Sequence, residues 1–115
     1  MININDILVN LKVLENVQVN QKLISKGKYL NIEYDSIVPL FIRRWIRQDN
    51  RDIMVSKITI IITEAVKLKN NNDNNNILKE YLQNSIKGLK NLKETYKYCS
   101  QTCAQIDILI DTINR

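Results

Sequence analysis

Four arginines crowd into the stretch Phe41 to Asp52 (FIRRWIRQDNRD): Arg43, Arg44, Arg47 and Arg51, all but one of those in the chain. On a helix at about 100° per residue they share an arc of about 100°, opposite Ile37, Val38, Phe41, Ile42 and Trp45. Guanidinium groups pair bidentately with phosphate and carboxylate, so this face is a candidate anion-binding surface for a nucleic-acid backbone or an acidic partner. The plainer reading is a solvated face neutralised by Asp49 and Asp52, with Trp45 as a core anchor. Nothing in the stretch encodes base readout, so nucleic-acid binding here would be phosphate-led and salt-sensitive.

Three other groupings carry chemical potential. Lys87, Lys90, Lys93 and Lys97 form a second basic row, partly offset by Glu80 and Glu94, and such rows commonly flank the packed stripe of a bundle helix. Asp107 and Asp111 lie four apart, too few ligands for a magnesium site, and Asp111 can instead pair with Arg115. Cys99 and Cys103 are also four apart. Zinc would need more ligands, and the chain has no histidine. A disulfide between successive turns of one helix would be strained, so the pair reads as small buried core residues with reduced thiols.

Support for catalysis is thin. Without histidine there is no ready general base near neutral pH, and no activator stands beside either cysteine in sequence. No Gly-rich phosphate loop or paired-carboxylate motif occurs. The chain is therefore expected not to be an enzyme and to need no metal or other cofactor.

The elements that would position these groups are helices. Only two glycines and one proline occur, which disfavours many short strands. The strongest pattern places Leu78, Leu82, Ser85, Leu89, Leu92, Tyr96, Cys99, Cys103, Ile106, Ile110 and Ile113 at alternating spacings of three and four. Leu82, Leu89, Leu92, Tyr96, Ile106 and Ile110 are its candidate packing or oligomer residues. A single straight helix there would run for about 38 residues, about 57 Å. That length predicts either a break or bend at Gly88 or a helix that projects and pairs with another copy.

Upstream, Asn5 or Asp6 is expected to cap a first helix, with Ile4 as a staple and Ile7, Leu8, Leu11 and Leu14 inward, ending near Val17 or Gln18. Residues 21–33 read either as a small β-hairpin about Gly27 or as an ordered loop. A second helix is expected from Asp35 or Ser36 to Gln48, with Pro39 in its first turn. A third follows from Asn50 to Lys69, its inner face carrying Met54, Ile58, Ile61, Ala65 and Leu68 beside Val55 and Ile62. The Asn-rich tract 69–76 reads as a surface loop.

These elements predict an all-α bundle of about four helices, with a long C-terminal heptad-patterned helix, in a single domain over 1–115. The net charge of +5 makes the chain mildly basic. No targeting segment or membrane span is legible: Asp6 interrupts the apolar start, and the run Ile58 to Thr63 is far too short to cross a bilayer. The stretches KYLNIEYDSIVPLFIRRWIR and SIKGLKNLKETYK, with the Asn-rich tract, resemble small uncharacterised proteins of large nucleocytoplasmic DNA viruses of the mimivirus type. That resemblance implies a place in the host cytoplasm or the virion, and it brings no activity or site residue. The function expected is a non-enzymatic protein-interaction or structural module that packs or self-associates through its C-terminal helix. The alternative is a non-specific nucleic-acid-binding protein using the arginine face.

Overall fold

The computed structural model describes residues 3–19, 51–71, 76–97 and 99–115. They form four helices: α1 (Ile4–Glu15), α2 (Arg51–Asn71), α3 (Asn76–Thr95) and α4 (Ser100–Asn114). The fold is an all-α helical bundle. The β-hairpin expected near Gly27, the helix expected from residue 35 to 48, and Arg43, Arg44 and Arg47 all lie outside the described residues.

Helix α1 begins where a side chain satisfies its first turn. Asn3 is the cap, its Oδ1 accepting from the backbone N–H of Asp6 at 2.9 Å. Asn5 and Asp6, expected as caps, instead lie inside the helix, and Ile4 is exposed there. Asp6 still contributes as a first-turn carboxylate at the positive end of the helix dipole. The helix closes two or three residues sooner than its apolar spacing implies. Asn16 donates its backbone N–H to Val13 (3.1 Å) and its Nδ2 to the carbonyl of Lys12 (2.8 Å), ending the ladder. Ile7, Leu11 and Leu14 are buried and Leu8 is half-buried.

In α2 the β-branched run Ile58–Thr63 is helical, because burial overrides a weak local preference for strand. Met54, Val55, Ile58, Ile61, Ile62 and Ala65 are buried, and Leu68 is half-buried. The Thr59 hydroxyl donates to the carbonyl of Val55 at 2.7 Å, so the helix keeps it satisfied. The helix runs through Asn71 and α3 starts at Asn76, so both ends of the tract expected as a loop over 69–76 are helical. Asparagine costs a helix well under 1 kcal/mol relative to alanine, which a long established ladder tolerates at its end.

The expected C-terminal helix is two helices, and the break is not at Gly88. That glycine lies buried in the middle of α3. A Cβ there would collide with the carbonyl oxygen of Leu14, the last turn of α1. Gly88 is therefore where two helix backbones nearly touch. Beside it, Asn91 Nδ2 donates to the carbonyl of Val17 at 2.9 Å, tying the end of α1 to α3.

The chain turns at Tyr96–Cys99. Thr95, Tyr96, Cys99, Ser100 and Thr102 are all weak helix formers, and the Thr95 hydroxyl donates back to the carbonyl of Asn91 at 2.9 Å. Lys97 N–H then bonds the Glu94 carbonyl (3.3 Å) and Cys99 N–H the Tyr96 carbonyl (2.8 Å), both turn geometries. Tyr96 itself is almost fully buried and anchors the corner. Helix α4 then returns along α3, as contacts at both ends show: Lys93 with Asp107, and Gln83 with Asn114.

Candidate functional site

Most of the expected packing stripe is consumed inside the chain. Leu82, Leu89, Leu92, Tyr96 and Ile106 are each no more than 1% exposed and join residues of α1 and α2 in one core. Ile110 is half-buried at its edge. Up to Tyr96 the inward positions are those expected. Beyond the turn Ile106 and Ile113 are buried as expected, while Thr102 and Leu109 take the inward places expected of Cys103 and Ile110, because α4 restarts the helical phase on its own. Cys103 and Ile110 are thereby displaced from full burial.

The cysteines depart from expectation in a second way. Both are half-buried reduced thiols at the α3–α4 turn, and only Cys99 packs against the core cluster. Cys99 occupies the position before α4 in extended backbone (φ −110°, ψ 91°), with its Sγ 3.1 Å from the Thr102 hydroxyl. Cys103 donates its S–H toward the carbonyls of Tyr96 (3.4 Å) and Lys93 (3.6 Å), at the C-terminal end of α3 where helix carbonyls need partners. Burial pushes the Cys103 thiol above its ordinary range, while the Lys93 ammonium pulls the other way.

The basic row divides into engaged and unengaged charges. Lys93 Nζ reaches Asp107 Oδ1 at 2.8 Å across the hairpin, and this hydrogen bond raises the lysine above its usual range. Lys97 lies 3.6 Å from Glu94. Lys87 and Lys90, with Lys79 on the same side of α3, are exposed and make no ion pair among the described residues. The Asp111–Arg115 pair is not formed among the described residues; exposed Asp107 is the carboxylate that pairs, because the hairpin brings Lys93, fourteen positions away, to it. Nothing in the spacing of the charges marks that contact, since it depends on where the chain reverses.

Of the arginine face, Arg51 opens α2 while the other three lie outside the described residues. Among the described residues no group of three or more His, Cys, Asp or Glu side chains is placed to hold a metal ion. No described helix is long and apolar enough to cross a membrane. Compared with protein-family models, with curated proteins and with solved structures, the chain matches none.

Proposed function

We propose that this chain is a non-enzymatic protein-interaction module whose C-terminal helices form a scaffold presenting a basic ridge to an acidic protein partner or a second copy. The carrying observation is the two-sided character of α3. Its apolar side is buried in the core, while Lys79, Lys87 and Lys90 face outward with no ion pair among the described residues. Unengaged charge on a rigid helix favours complementary charge on a partner and speeds encounter. Because Leu89 and Ile106 are interior, association uses the outer face of the α3–α4 hairpin. The module works in the cytoplasm, that of an infected cell if its kinship is viral.

The second reading, phosphate-led binding of nucleic acid, draws on the same lysines together with Arg43, Arg44, Arg47 and Arg51. One experiment separates the two. Light scattering and pull-down with an acidic protein are run beside fluorescence anisotropy on duplex and single-stranded oligonucleotides, all across salt. Each is repeated on a Lys87→Glu/Lys90→Glu variant and on one with the four arginines replaced by Gln. A larger mass or protein capture that the lysine variant abolishes supports the interaction module. Oligonucleotide binding that falls steeply with salt and disappears in the arginine variant replaces it with the nucleic-acid reading. A monomer that binds neither at low salt defeats both.

A further inference from the structure

The α3–α4 turn holds two thiols in unlike settings. Cys99 stands at the entrance to the 15-residue helix α4, where the positive end of the helix dipole stabilises a thiolate. Its neighbour at 3.1 Å is the buried Thr102 hydroxyl, which donates to sulfur once the thiol has lost its proton. Cys103 is held the other way. Its proton is shared with the carbonyls of Tyr96 and Lys93, so its resting form is the thiol.

The two are within bridging range. Cys103 N–H bonds the Cys99 carbonyl at 3.0 Å, closing the first turn of α4. Helix geometry then sets their Cα atoms about 6.2 Å apart, inside the span of about 4.4–6.8 Å that a disulfide accepts. The pair is not a mid-helix one, because Cys99 has extended backbone and is not itself helical.

We propose that Cys99 and Cys103 form a thiol–disulfide exchange site for low-molecular-weight disulfides such as oxidised glutathione, with Cys99 attacking and Cys103 resolving. The Cys99 thiolate attacks one sulfur of the small disulfide, forming a mixed disulfide and expelling one small thiolate. Cys103 then gives up its proton and attacks Cys99 Sγ, expelling the second. Two protein thiols are oxidised to one disulfide, one small disulfide is reduced to two thiols, and the two protein protons end on those thiols. Closure also removes the Cys103 donor from the carbonyls of Tyr96 and Lys93, so the oxidised turn is the looser form.

The test treats the full chain with oxidised glutathione and follows intact mass and non-reducing electrophoresis. Wild type is expected to lose two hydrogens, with no retained glutathione and no cross-linked dimer. Cys103→Ser should accumulate one glutathione on Cys99. Cys99→Ser, which places a favourable capping residue at that position, should stay folded by circular dichroism and react about tenfold more slowly or less. The melting midpoint of the oxidised form should lie below that of the reduced form. Wild type that stays reduced, keeps its glutathione or dimerises would overturn the proposal. So would Cys99→Ser reacting at the wild-type rate, or a midpoint that rises on oxidation.

Discussion

Gly88 and the Tyr96–Cys99 turn stand close together on α3, and they treat the helix in opposite ways. Gly88, with the residue type most often blamed for ending helices, sits in unbroken helix because the end of α1 lies against it. The turn contains neither glycine nor proline and still reverses the chain. Intrinsic propensity is worth about 1 kcal/mol at a glycine, less than the packing available when two backbones meet. At the turn several small preferences against helix add up, the Cys103 thiol donates to the carbonyls of Tyr96 and Lys93, and buried Tyr96 anchors the corner. A glycine in a helix reports a neighbour; a helix end reports who satisfies the carbonyls.

The sharpest challenge to that contrast is Tyr96→Ala. Removing the buried anchor of the corner should cost about 3–5 kcal/mol in urea unfolding, as for other large aromatics cut to alanine. A loss under 1 kcal/mol would mean the turn does not depend on it. Gly88→Ala comes next: the gain in helix propensity of about 1 kcal/mol should be outweighed by collision with Leu14, for a net loss of about 1–3 kcal/mol. A stabilised variant would show that α1 does not approach α3 so closely.

A pH effect of smaller size follows from Cys103. Its thiol is raised in the folded state, so the stability it contributes is complete below the unfolded thiol's pKa and is lost as pH rises through the folded one. Urea midpoints should therefore fall at alkaline pH more in wild type than in Cys103→Ser; parallel profiles would contradict this. The smallest expected effect is Asp107→Asn. Loss of this exposed, solvent-screened pair should lower the melting midpoint only slightly, and less still in high salt, measured by thermal melting.

Amphipathic spacing alone makes much of the bundle legible. The buried faces of α2 and of α3 up to Tyr96 match it, because a helix with one apolar side has one way to lie on a core. Boundaries are harder to read. Asn3 takes the first cap from Asn5 and Asp6, three neighbouring residues with nearly equal capping ability. The turn at Tyr96–Cys99 is hidden because the three-four spacing runs through it almost unbroken, and no single residue there forbids helix. Of the candidate sites, the packing stripe is readable as a stripe, but its occupant, this chain's own α1 and α2, is a tertiary fact. Lys93 with Asp107, and the thiol of Cys103 on the end of α3, depend on the reversal and are not written in the spacing of their own residues.

The tie between Asn91 and the carbonyl of Val17 spans 74 residues of chain. During synthesis at about 5–20 residues per second, α1 therefore emerges about 4–15 s before the helix that covers it. Until α3 has emerged, the close approach of Gly88 to Leu14 and the tie to Val17 cannot form. The newborn chain thus passes through a window in which the α3-facing side of its first helix is still uncovered.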